Sequence, residues 1–321
     1  MFVHQKKLTK TMKYYKIILA IAISASFIFI YLFIPSNIIV SDNIVVHQSG
    51  SSVTRGFVQI QYWDKWMPHK KIEGHSFILE EGELAINASF IASVKANFSK
   101  GDFSSGVIFS AIDAGRDSTL IRFEASVDNR HLSPITRIQN YIESRKLKSQ
   151  LLTIIKAAGA YYGSTKGIYG FDIVESKVKD TTLVSTQRNF ADTPSIHQQY
   201  EMIQTLKEHI KKYNGVIHSA PMVNITRISN NEVYTQVAFA LAQDIPPGDQ
   251  ISIKKMVLGK ILEVKLIGNQ RKINAAFEAI SYYLSDNMKS SPAIPFVTYD
   301  TDRTIEKDDS KWLSTIYYPI F

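Results

Sequence analysis

Two stretches in the second half of the chain repeat one pattern: Ser195–Gly215, SIHQQYEMIQTLKEHIKKYNG, and Asn269–Asp286, NQRKINAAFEAISYYLSD. In the first, Ile196, Tyr200 and Ile203 fall at i, i+4 and i+7, the spacing of one buried helix face, and Leu206 and Ile210 continue it. Ile273, Phe277, Ile280 and Leu284 follow the same spacing in the second. Thr193 and Pro194 give the first helix a start signal, and Asn214 with Gly215 a stop. Each helix leads into a proline-headed strand, Pro221-Met-Val-Asn or Pro295-Phe-Val-Thr, and then a further strand, Val233–Leu241 or Leu313–Phe321. The pattern predicts a duplicated β-α-β-β unit whose halves pair about a pseudo-twofold axis and leave a cleft between the helices.

Upstream, the glycine-spaced GAYYGSTKGIYG (Gly159–Gly170) predicts a break in regular structure and a domain boundary. It lacks the Lys-Ser/Thr ending of a phosphate loop. Before it, Pro134–Ala158 reads as a long helix with an apolar stripe of Ile135, Ile138, Ile142, Leu151, Leu152 and Ile155. Apolar residues alternate with polar ones along Ile86–Val94 and Ile121–Val127, as in antiparallel strands with one wet face. Asn37–His47 is strand-like, and QYWDKWMP (Gln61–Pro68) ends a short helical segment. Trp63 and Trp66 there suit packing under the sheet better than a bilayer interface.

Ile17–Ile34, IILAIAISASFIFIYLFI, holds 18 residues without a charge, a helix of about 27 Å that nearly spans a bilayer's hydrocarbon core. Lys6, Lys7, Lys10, Lys13 and Lys16 precede it, and no Lys or Arg follows until Arg55, so the positive-inside rule places the N-terminus in the cytoplasm and the rest outside. A retained signal-anchor competes here with a cleaved signal peptide and with a buried core helix. The apolar run is long, and Pro35–Ser41 offers no convincing small-x-small cleavage pair, which favours the anchor.

The net charge of +8 owes five charges to that stub, leaving 32 basic against 29 acidic residues beyond it. That balance argues against a nucleic-acid surface. The chain contains no cysteine, which excludes disulfides, zinc-thiolate sites, iron-sulfur clusters and thiol nucleophiles. Serine-nucleophile, zinc-protease and dinucleotide motifs are also missing, and no cofactor or metal is implied. His69 and His75 read as ordinary polar residues.

With these elements in place, the order of residues 38–160 resembles a START-like (SRPBCC, polyketide-cyclase-like) domain of helix-grip form. Residues 168–321, with their duplicated unit and closing Ser314-Thr-Ile-Tyr-Tyr-Pro-Ile, resemble a gyrase-inhibitor-like (GyrI-like, SOUL-like) effector-binding domain. The expected architecture is α+β: a basic stub (1–16), a transmembrane helix (17–34), then the two domains. Both resemblances imply a concave cavity for a small hydrophobic or amphipathic ligand. Some GyrI-like proteins hydrolyse their ligands with an acidic residue near the strand matched by Pro295–Tyr299; here Thr298 stands near that place, which counts against hydrolysis.

The candidate ligand-binding residues are Tyr299, Tyr234, Gln236, Tyr317 and Glu263. Tyr234 and Gln236 lie opposite Val233, Thr235, Val237 and Phe239, and together with Tyr299 and Tyr317 are expected to bring polar groups into an apolar cleft. Glu263 alternates with Leu262 and Val264 and, with Asp300, is the candidate carboxylate for a hydrolase or cyclase. Asp300 and Asp302 alternate onto one face, though beside Arg303, Glu306, Asp308 and Asp309 a solvated turn is the simpler reading. The favoured function is a membrane-tethered, non-enzymatic small-molecule binder. A hydrolase or cyclase, and an envelope protein whose cavities are filled by its own side chains, are the alternatives.

Overall fold

The computed structural model describes residues 2–321 except Glu73, Arg116, residues 179–181 and Pro292, with side chains from Tyr15 onward. Internal contacts divide the chain into two units, Met1–Gly163 and Ser164–Phe321.

The first unit opens with α1 (Phe2–Phe33). Its stretch Tyr15–Phe33 has a mean hydropathy of 2.3, and none of it is buried against the protein. The side chains of Lys6, Lys7, Lys10 and Lys13 lie outside the described residues. The helix stops before Pro35, whose ring disfavours helical backbone at the preceding residue. Its end is tied down: the Tyr31 hydroxyl donates to the Leu132 carbonyl (3.0 Å), and Arg137 stacks on the Tyr31 ring (4.2 Å) while donating to the Ile34 carbonyl (3.2 Å).

There follow β1 (Asn37–Val46), α2 (Gly50–Phe57), a 3-10 turn (Ile60–Lys65), β2 (Lys70–Lys71), β3 (Ser76–Leu79), β4 (Gly82–Ser89), β5 (Ser93–Lys100), β6 (Phe103–Gly115), β7 (Ser118–Asp128) and α3 (Pro134–Tyr162). The strands form an antiparallel sheet in the order β1-β7-β6-β5-β4-β3-β2, and α3 packs on β1 and β7. Leu147, Leu151, Ile154, Ile155 and Ala158 of α3 are buried, as are Ile121, Phe123 and Phe109 of the sheet. Trp63, fully buried, donates its Nε1–H to the Phe57 carbonyl (2.7 Å) and packs against Phe57, Trp66, Phe77 and Phe109 with centroids 4.8–6.5 Å apart. These rings form one buried aromatic cluster with the sheet residues Phe77 and Phe109.

Three sequence expectations for this unit need correction. Ile86–Val94 is a hairpin rather than one strand: Phe90 N–H bonds the Ser93 carbonyl (2.7 Å), and Phe90 and Ile91 are exposed. The period of two simply runs through the turn. The glycine cluster does not end α3 at Ala158. The helix continues through Gly159 to Tyr162, and the glycine serves close packing on β1, since a side chain there would meet Ile44 Cδ1 at 2.2 Å. Ile135, Ile138 and Ile142, assigned to the buried stripe, are exposed.

The second unit comprises α4 (Thr165–Tyr169), β8 (Val174–Lys177), β9 (Thr182–Phe190), α5 (Ile196–Lys212), β10 (Met222–Ser229), β11 (Glu232–Leu241), β12 (Ile251–Lys255), β13 (Lys260–Ile267), α6 (Gln270–Asp286), β14 (Phe296–Tyr299) and β15 (Leu313–Ile320). Its sheet runs β12-β9-β11-β10-β14-β15-β13-β8. Outward from the β10–β14 seam the two sides are equivalent, β9-α5-β10-β11 matching β13-α6-β14-β15, so the duplicated β-α-β-β unit is present. The seam is short, with register pairs Met222↔Thr298 and Val223↔Val297. Val237, Val223, Val297, Ile316 and Val264 lie in register across five strands and share one face. They join Met202, Ile203 and Leu206 of α5 and Ile273, Ala276 and Ile280 of α6 in one core, which puts both helices on that face. The chain is thus an α+β protein with an N-terminal apolar helix and two antiparallel sheets.

Candidate functional site

Between the first turns of α5 and α6 lies a cavity of about 590 Å³. Ser195 caps α5: its Oγ accepts from Gln198 N–H (3.3 Å), and Gln198 Oε1 accepts from Ser195 N–H (2.8 Å). This box fixes the helix end, and with it Ile196 and Gln199 at the cavity wall. From α6 come Gln270, Ile273, Asn274 and Phe277; the sheet floor contributes Val223, Ile225, Val233 and Val297.

At one end of the cavity is a buried polar group of side chains. Tyr299 donates its hydroxyl to Gln199 Oε1 (2.7 Å), and Gln199 Nε2 donates to the Pro194 carbonyl (2.8 Å). Burial pushes the Tyr299 phenol above its ordinary range, so it stays a neutral donor. Arg303, only 4% exposed, stacks its guanidinium on the Tyr299 ring (3.4 Å) and near Trp312 (4.7 Å). One of its terminal nitrogens donates to Ser314 Oγ (2.9 Å), and its backbone N–H donates to the Tyr200 hydroxyl (2.7 Å). Burial lowers the pKa of its guanidinium.

The five candidate residues do not converge on this cavity. Tyr299 lines it, because β14 turns Val297 and Tyr299 toward the helices. Phe296 and Thr298 alternate to the other face, and with them go Gln236, Glu263 and Tyr317. Tyr317 and Glu263, register partners on β15 and β13, border a second cavity of about 550 Å³ together with Thr298, Asp300 and His218. Burial and the neighbouring Glu263 raise the Tyr317 phenol's pKa, and Glu263 accepts a hydrogen bond from Ser176 Oγ. Gln236 lies at a third, more apolar hollow of about 360 Å³ with Met222, Phe296 and Phe321. Tyr234 donates to Gln187 Oε1 (2.6 Å) on the neighbouring strand β9.

Asp300 and Asp302 are held by different partners. Asp300 accepts from Thr315 Oγ1 (2.7 Å), while Asp302 accepts from the Thr304 N–H (2.9 Å) and hydroxyl (2.6 Å), which lower its pKa as in an ordinary Asx turn. Arg303, Trp312 and Gln199 were not among the sequence candidates.

No family model matches the chain, and no curated protein matches it. Among solved structures it is similar to the EcmrR C-terminal domain (11% identity, TM-score 0.41), with 47% of this chain and 98% of that one covered. It is also similar to SAV2435 bound to tetraphenylphosphonium (11%, 0.30, covering 46% and 93%) and to the ZhuI aromatase/cyclase from Streptomyces sp. R1128 (7%, 0.28, covering 39% and 93%).

Proposed function

We propose that the chain is a membrane-tethered, non-enzymatic binding protein that holds a small amphipathic molecule between α5 and α6. The observation that carries this reading is the cavity of about 590 Å³, within the range of roughly 300–1,000 Å³ usual for ligand pockets, with apolar walls and a few converging polar groups. In this reading α1 is a retained anchor, and residues 38–160 and 168–321 are START-like and GyrI-like domains outside the membrane. The lysine-rich stub before α1 supports that orientation.

Trp312 borders the cavity, so its fluorescence reports on occupancy, whereas Trp63 is sealed in the first unit. Titrating the full chain in lipid nanodiscs with amphiphiles of each charge type is expected to yield at least one saturable change, absent in Trp312→Phe. A flat response across the panel would count against the reading. The grouping of Glu263, Asp300 and Tyr317 around one cavity keeps a hydrolase as the second reading. Ester turnover unchanged in Glu263→Gln and Asp300→Asn would remove it.

A further inference from the structure

We infer that the molecule held between α5 and α6 carries an oxyanion head group, received by Arg303, on an apolar tail. This rests on the binding reading above and specifies its ligand class.

Arg303 is a buried cation with no counter-ion among the described residues. Among the described residues no carboxylate lies within ion-pair distance, and the ionisable groups that bear on it are the phenols Tyr299 and Tyr200. Its Nε is buried without a hydrogen-bond partner. An unpaired charge taken out of water is costly, and stacking on aromatic faces offsets only part of that cost. Proteins ordinarily pair such a group with an acid; among the described residues none is in place, and the arginine borders an open cavity.

The rest of the lining has the same sign. Among the described residues its charged members are Arg303 and Arg227, with no Asp or Glu. Arg227 is already engaged, donating to exposed Asp192 (2.7 Å) at the edge, so Arg303 is the cation left for a ligand. The first turns of α5 and α6 both border the cavity, adding two positive helix ends, and Asn269, the N-cap of α6, makes no side-chain capping bond. A guanidinium presents a planar fork that matches carboxylate or phosphate oxygens. In the same lining, Ile196, Ile225, Val233, Ile273 and Phe277 offer apolar surface for a chain or ring.

The test uses the full chain in zwitterionic nanodiscs, with empty nanodiscs as the blank and four probes sharing one tail: octanoate, octyl phosphate, octanol and octylammonium. Calorimetric titration is expected to show octanoate or octyl phosphate binding about 10- to 100-fold tighter than octanol, the gain of a charge-assisted hydrogen bond. Whichever oxyanion binds better identifies the head group. In Arg303→Met the preference should vanish while octanol binding is kept, and Arg303→Lys should retain part of it. Because Arg303→Met also removes an unpaired buried charge, its thermal midpoint should hold or rise, which separates lost recognition from lost folding. Equal affinity for all four probes, or a preference that survives Arg303→Met, overturns the head-group inference and leaves the cavity reading standing. No binding of any probe overturns the cavity reading itself.

Discussion

Replacing Tyr299 by Phe removes one hydroxyl from a side chain that is 5% exposed and changes almost nothing else in shape. That hydroxyl donates to Gln199 Oε1 at 2.7 Å, and Gln199 is itself buried in the first turn of α5. The lost bond is worth about 1 kcal/mol net, and the orphaned carbonyl oxygen adds a desolvation cost, for a total of about 1–3 kcal/mol. In a domain of this size, at about 2–4 °C per kcal/mol, that lowers the thermal midpoint by about 2–12 °C. Gln199→Leu should cost more, because it strands both the phenol and the Pro194 carbonyl, whereas the double variant, in which the phenol is gone too, should still lose clearly less than the sum. Urea denaturation of the four proteins, followed through Trp312, gives the coupling energy, expected at about 1–2 kcal/mol. Strict additivity would refute the bond as a buried, energetically closed pair. Independent of stability, either single variant should loosen the α5 end of the cavity and weaken amphiphile binding.

Three further outcomes are expected. Gly159→Leu drives a branched side chain into Ile44 and should cost at least about 1–3 kcal/mol, read as an earlier unfolding transition of the first unit; an unchanged midpoint would contradict the close α3–β1 packing. Because the chain has no cysteine, Lys6→Cys and Lys211→Cys report topology cleanly: an impermeant maleimide should label the second and not the first in right-side-out vesicles, and the reverse pattern would invert the orientation. The Asp128 carboxyl, hydrogen-bonded by Arg130, is held down to about 2; since its folded pKa is depressed, its contribution is complete above about pH 4 and lost as pH falls toward 2. An NMR titration placing Asp128 at the ordinary value near 3.9 would dissolve that pair.

The duplicated unit was legible because each half advertises two periods, 3.6 in the helix and 2 in the strands, punctuated by Pro221 and Pro295. Period alone does not see turns, which is why Ile86–Val94 passed for one strand. Nor does it see packing distance: Gly159 reads as a breaker until Ile44 is found above it. The site was less legible. The alternation of β11 placed Tyr234 and Gln236 on the far face, as found, but nothing local tells that β14 turns Tyr299 the other way. Arg303 was hidden by its company. Flanked by Asp300, Asp302, Glu306, Asp308 and Asp309, it reads as part of a solvated turn, and only the return of Trp312 and Ser314 along the start of β15 buries it.

Strand β14 is four residues long and serves as the party wall of two chambers, Val297 and Tyr299 furnishing one side, Phe296 and Thr298 the other. Neither chamber can be redecorated by shifting this segment without redecorating its neighbour. A single inserted residue would exchange the tenants of both rooms at once, so divergence at this wall has to proceed by substitution in place.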